Sequence, residues 1–110
     1  MNKIQINEQS YPVKFGLNAL RNYCRIRGID FDQFQKEVPE MMSGNMSFKA
    51  IDNLALLIRS AIQEGIRKEK ADLQVPEIED IIELFEQPEE FTKVMELFTG
   101  SLPQAEEEKN

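Results

Sequence analysis

Ser47-Phe48-Lys49-Ala50-Ile51-Asp52-Asn53-Leu54-Ala55-Leu56-Leu57-Ile58-Arg59-Ser60-Ala61-Ile62 opens the stretch, running on to Lys70, that decides the fold of this chain. Phe48, Ile51, Leu54, Ala55, Ile58, Ala61 and Ile62 recur at three- and four-residue steps, the spacing of one helix face. Ala50 and Leu57 widen that stripe beyond a two-sided seam, so the helix is expected to be central and to pack against several elements at once. Ser47 is placed to cap it by accepting a bond from an early backbone N–H. The stripe reads as core, with a docking face along part of it as the lesser alternative.

The totals frame this helix. A chain of 110 residues is one small domain, with enough length for a real core but little to spare. With 41% hydrophobic and 30% charged residues, its composition is that of a globular protein and not of a disordered one. No apolar run approaches the roughly 20 residues that span a bilayer. Met1-Asn2-Lys3-Ile4-Gln5-Ile6 lacks the apolar block of a signal peptide, so a cytoplasmic protein is expected. Cys24 stands alone, which excludes an internal disulfide and a thiolate zinc cluster. On an apolar helical face it reads as a small buried hydrophobe in preference to a reactive thiol.

Charge is unevenly spread. Residues 1–68 carry ten Lys/Arg against seven Asp/Glu, and residues 69–110 carry three against thirteen, which together make the net charge of −7. The acidic C-terminal third repels nucleic acid, and it reads as a solvated face more readily than as a dedicated docking site for a basic partner.

Outward from the central helix, the flanks alternate differently. Ile4 and Ile6 alternate with Lys3 and Gln5, and Tyr11, Val13 and Phe15 with Pro12 and Lys14, which predicts a hairpin over residues 3–15 turning at Asn7-Glu8-Gln9-Ser10. That turn lacks glycine, and Pro12 suits only an edge position. From Leu17 the pattern becomes helical: Leu17, Leu20 and Cys24 face inward with Ala19, Tyr23 and Ile26 beside them, Asn18, Arg21, Asn22 and Arg25 face outward, and Gly28 stops the helix. Asp30, with Gln33 three residues on, opens the next helix as a capping-box variant, with Ile29 and Phe34 as a staple across the cap. Phe31, Phe34 and Val38 continue inward until Pro39 interrupts, and Glu40–Met46 reads as a connection.

Beyond Lys70, Pro76 is expected at the first position of a helix with Ile78, Ile81, Ile82 and Phe85 as its stripe. Pro88 likewise opens a helix carrying Phe91, Val94, Met95 and Phe98, closed by Gly100. Residues 101–110 have no stripe, only Leu102, Pro103 and the Glu106-Glu107-Glu108 run, and are expected to form a disordered acidic tail. The expected fold is therefore mainly α, a single domain over residues 1–100. It has a short N-terminal hairpin followed by a compact bundle of about five helices.

The chemistry-bearing groups point away from catalysis. Without histidine the usual acid–base and triad arrangements are unavailable, and the carboxylates lie at helix starts and in the tail, where capping and solubility account for them. The glycines read as isolated at element ends, so no phosphate loop follows a strand. Asp30 and Asp32 lack the remaining ligands of a calcium loop. No catalytic, cofactor or metal site is expected. A helix–turn–helix drawn over residues 30–62 would carry only Lys49 and Arg59 on its second helix before Arg67, and net −7 opposes a polyanion. Arg21, Arg25 and Arg27 read first as a solvated helix face, and next as contacts for an acidic segment of a protein partner. Met41, Met42 and Met46 read as packing, or as an adaptable apolar contact surface.

The strand-turn-strand followed by Phe15-Gly16-Leu17-Asn18-Ala19-Leu20-Arg21 resembles the tail assembly chaperones of long-tailed, siphovirus-like bacteriophages and prophages, which open with a short hairpin running into a Phe-Gly-Leu/Ile-containing helix. The similarity continues through Leu54–Ile66, with Ala61-Ile62-Gln63-Glu64-Gly65-Ile66 at its end, and through the acidic short helix and Phe91–Phe98, covering about residues 3–100. The resemblance implies a non-enzymatic protein that binds the tape measure protein, keeps it soluble before tail tube protein polymerises around it, and leaves before the tail is complete. The family has no catalytic motif to carry over, so the contact residues are expected from the side chains alone: Arg21, Arg25 and Arg27 for charge, and Met41, Met42 and Met46 for apolar contact. The other reading is a small helical regulatory protein binding DNA or a transcription protein. Pairing with a second copy stays open in both.

Overall fold

The computed structural model describes residues 1–43 and 47–101. Two strands, β1 (Lys3–Ile6) and β2 (Gln9–Pro12), precede five helices: α1 (Leu17–Arg27), α2 (Phe31–Met42), α3 (Phe48–Glu69), α4 (Ile78–Leu84) and α5 (Pro88–Ser101). The fold is thus mainly α with an N-terminal hairpin. The residues expected in a tail lie, from Leu102 on, outside those described, and Ser101 itself ends α5.

α3 is the hub. Helices α1, α2 and α4 and strand β2 pack on it, and α4 and α5 close over β1. Its breadth follows from the wide stripe: Ala50, Leu54, Ala55, Leu57, Ile58, Ala61 and Ile62 are all buried. The Ser47 hydroxyl accepts from the Ala50 N–H at 3.0 Å, as the sequence predicts. At the other end Lys70 takes the left-handed conformation (φ 54°), and the Ala71 N–H closes on the Ile66 carbonyl. The stripe fails at its first member. Phe48, the first residue of α3, is 86% exposed, although Ala50 in the same turn is buried.

β1 and β2 pair antiparallel with Ile4 opposite Tyr11 and Ile6 opposite Gln9, which leaves a two-residue loop at Asn7-Glu8. Both residues have positive φ (50° and 70°), the geometry that twists a two-residue hairpin correctly. The turn is therefore shorter than the four residues expected. Asparagine at its first position supplies what glycine commonly does, while Glu8 carries the strain. Strand pairing also ends at Pro12, earlier than Phe15. After one more bond, from the Val13 N–H to the Asn2 carbonyl at 2.8 Å, the chain lies on α3, where the Lys14 N–H donates to the Ala61 carbonyl at 3.0 Å.

That crossing corrects the view that every glycine marks an element end. Gly65 is buried inside α3, and a Cβ on it would stand 2.3 Å from the Pro12 carbonyl oxygen and 2.8 Å from the Val13 nitrogen. Only a glycine lets the two backbones approach so closely. Gly100, by contrast, is the last residue but one of α5, near the element end expected of it, with open space where its Cβ would be.

Three further expectations change. α2 runs through Pro39 to Met42, taking in half of the expected connection, because Met41 is buried and holds the last turn down. Pro39 and Gln35 are both exposed, so water can serve the carbonyl that the proline leaves without its helical donor. Of the rest of that connection, Ser43 caps α2, and Gly44, Asn45 and Met46 lie outside the described residues. Pro76 precedes the cap residue Glu77 instead of opening α4, and its carbonyl accepts from Arg59 Nε at 2.9 Å. In α1 the buried set is Ala19, Leu20, Tyr23 and Cys24, with Leu17 71% exposed and Ile26 also exposed. The helix is rotated from the expected setting so that Asn18 and Asn22 meet α3.

At α5, Phe98 packs on Phe15 with ring centroids 5.4 Å apart, and Glu90 Oε1 accepts the Gln5 N–H at 3.2 Å, serving a backbone donor on β1.

Gly65→Ala is expected to destabilise the protein by about 2–3 kcal/mol in urea titration, because backbone atoms face the new methyl and cannot rotate away. Gly100→Ala, with open space at its Cβ, is expected to hold or raise stability by up to about 1 kcal/mol through helix propensity.

Candidate docking surface

Four residues separate Leu17, Arg21 and Arg25, so they form one row along α1. On one side of the row lies an apolar groove of about 360 Å³ floored by Leu20 and Cys24 and bounded by Ile29 and Phe31. On the other lies a polar groove of about 290 Å³ between α1 and α3, lined by Asn18, Asn22, Ser60, Gln63, Glu64 and Arg67. Arg21 and Arg25 border both. Their local positive charge stands out in a chain of net −7.

The apolar groove exists because α1 and α2 diverge around a short link. Gly28 adopts φ 71° at the end of α1, and the Ile29 N–H returns to the Cys24 carbonyl. Asp30 Oδ1 then accepts the Gln33 N–H at 2.9 Å and starts α2. The reciprocal arm of the capping box is not made, since the Gln33 side chain donates instead to Glu37 at 3.1 Å. Phe31, at the first position of α2, stacks on the buried Phe34 and leaves an edge to solvent. Burial pushes the Cys24 thiol up from its ordinary pKa, which makes it an inert part of the groove floor.

The polar groove is held by a buried carboxylate. Glu64 is 8% exposed, and Arg67 Nε and Nη2 donate to its two oxygens at 2.9 and 2.7 Å, with Asn18 Nδ2 at 3.4 Å. The Arg67 hydrogen bonds outweigh desolvation and hold the Glu64 carboxyl below its ordinary value. Asn22 Nδ2 reaches Ser60 Oγ at 3.4 Å and Gln63 Oε1 at 3.3 Å. These contacts tie α1 to α3 and explain the rotation of α1.

Of the three arginines, Arg27 stands apart. It grips Glu37 of α2 through two bonds of 2.7 and 3.0 Å, donates to the Tyr23 hydroxyl at 2.6 Å and lies over the Tyr23 ring. Both partners of this ion pair are only 16% exposed. The Arg27 bonds hold Glu37 below the ordinary carboxylate range, and burial raises Tyr23 above its ordinary value. Arg27 therefore joins α1 to α2, whereas Arg21 and Arg25 remain exposed at the surface.

The methionines also separate. Met41 is in the core, Met46 lies outside the described residues, and Met42 borders a shallow groove of about 280 Å³ with Phe91, Thr92, Met95, Glu96 and Thr99. Exposed Leu17 and Phe31 belong to the surface, although periodicity assigns both to the core. Their places at helix starts were the available signal.

Among the described residues no three cysteine, aspartate or glutamate side chains come together in a way that would hold a metal ion, and no helix is long and apolar enough to cross a membrane. Comparison with protein-family models, with curated proteins and with solved structures brings no match for this chain.

Arg27→Ala is expected to cost about 2 kcal/mol of stability, since it strands Glu37 at a partly buried site. Arg21→Ala and Arg25→Ala are expected to stay within about 0.5 kcal/mol, and urea titration of the three variants checks the contrast. A pH series adds a second prediction. Glu37 and Glu64 have folded pKa values below the ordinary 4.5, so their contribution is complete above that value and is lost as pH falls through the folded values. The double variant Glu37→Gln, Glu64→Gln is expected to flatten the fall of the urea midpoint below pH 4.5.

Proposed function

We propose that this chain is a non-enzymatic tail assembly chaperone of a long-tailed phage or prophage, which holds the tape measure protein in solution while the tail is built, with tail tube protein as a further partner. The observation that carries the reading is the open apolar groove along α1, bordered by the exposed Arg21 and Arg25. A polymer-templating protein that waits for its tube exposes amphipathic helices, and a small acidic domain with an apolar trough covers such faces while adding charge. Support also comes from the order of elements. A short hairpin, a helix entered through Phe15-Gly16-Leu17, a central apolar helix and an acidic closing pair follow one another as the resemblance implies.

Binding of DNA through α2 and α3 draws less support. Arg59 is committed to the Pro76 carbonyl, which leaves Lys49 as the free cation expected on the recognition helix.

Co-expression with the longest helix-rich protein encoded beside this chain, followed by size-exclusion chromatography of the soluble fraction, tests the proposal. Co-elution is expected, together with loss of the partner to the pellet when this chain is omitted. A partner that stays soluble and never co-elutes would sink the chaperone reading. Titration against duplex DNA then decides the alternative, since phosphate binding falls steeply with salt.

A further inference from the structure

We infer that the α1–α2 groove takes, in trans, one amphipathic helix whose apolar face is flanked by carboxylates spaced four residues apart. This deepens the chaperone reading and rests on it for the partner's identity. The row from Leu17 to Arg25 spans eight residue steps, about 12 Å of helix, or two turns of a docked partner. Leu17 is 71% exposed and Phe31 37%, so both walls of the groove offer apolar surface without disturbing the core. Arg21 donates only to Asn18 Oδ1, at 3.2 Å, and among the described residues neither Arg21 nor Arg25 is in an ion pair.

Among the described residues no carboxylate lines the apolar groove, and the one that lines its neighbour, Glu64, is already held by Arg67. Two guanidiniums four residues apart on one helix meet two carboxylates four residues apart on another, each guanidinium donating two parallel bonds to a carboxylate. A second copy supplies no such helix from its described residues. The acidic helices α4 and α5 already bury Ile81, Leu84, Val94 and Phe98 in their own domain. Two cations are too few to hold a nucleic acid or a lipid surface.

The test uses the full chain and two synthetic helical peptides of ~18 residues, long enough to hold some helix in water. Both carry the same leucine stripe, flanked by glutamate in one and by lysine in the other. Fluorescence anisotropy is expected to show binding of the glutamate peptide and weaker binding of the lysine peptide by roughly tenfold or more. Arg21→Glu with Arg25→Glu is expected to invert that preference, and Leu17→Asp to abolish binding of both. All three positions are exposed, and far-UV circular dichroism of each variant verifies the helices. Equal binding of the two peptides, no binding of either, or binding indifferent to Leu17→Asp overturns the inference. So does a free protein that sediments as a dimer and becomes monomeric with Leu17→Asp, because the occupant is then a second copy. Charge-inverted peptide binding beside a failed co-elution leaves the groove chemistry standing and removes only the chaperone reading.

Discussion

Backbone against backbone, at Gly65, is the contact on which the remaining arrangement depends. A hairpin of two four-residue strands is marginal in water until its apolar face is covered. Here the chain leaving β2 is pressed onto α3 with no side chain between, and the Lys14 N–H is fastened to the Ala61 carbonyl. Ile4, Ile6, Val13 and Phe15 then face the helices and are buried. Because Gly16 follows directly, the same contact fixes where α1 begins. Its rotation is completed by Asn18 and Asn22 against Glu64, Ser60 and Gln63, and that rotation turns Leu17 outward to join Arg21 and Arg25.

Periodicity made most of the helices legible, since their starts and stops are chemically marked. Asp30 and Ser47 cap as their side chains allow, and Gly28 takes the left-handed conformation that ends α1. What periodicity could not show was where a stripe lacks a covering element. Leu17, Phe31 and Phe48 keep the correct spacing but stand at the first position of their helices and remain exposed, while Leu20, Phe34 and Ala50 in the same turns are buried. Gly65 was illegible for the opposite reason. A helix interior gives no local motive for glycine, and its cause lies some fifty residues away at Pro12. The two-residue turn was missed because Asn7 and Glu8 accept positive φ without the glycine that usually announces it.

The candidate surface was half legible. Clustered arginines on a helix announce charge, yet spacing along α1 cannot separate Arg27 from Arg21 and Arg25, because what distinguishes it is Glu37 on another helix. An ion pair with both members largely withdrawn from water, and an aromatic ring beneath the cation, is a joint between two helices. The same division runs through the methionines: Met41 serves the core and Met42 an outer groove. Composition could announce both roles but could not assign them.

Joint and groove are linked by geometry. Arg27 draws the end of α1 toward the middle of α2, while Asp30 fixes the start of α2 one short link away, so the two helices are held together at Glu37 and stand apart along Leu17–Arg25. The floor of the gap is closed by Leu20 and Cys24, which already belong to the core, and hence the fold loses little by leaving the gap open. A polar residue at position 17 would serve the stability of a first helical turn as well as leucine does, because so exposed a side chain contributes almost no burial. The fold therefore gives no reason for leucine there. Beside two arginines that form no ion pair among the described residues, an exposed leucine suits the apolar face of the helix inferred for the groove.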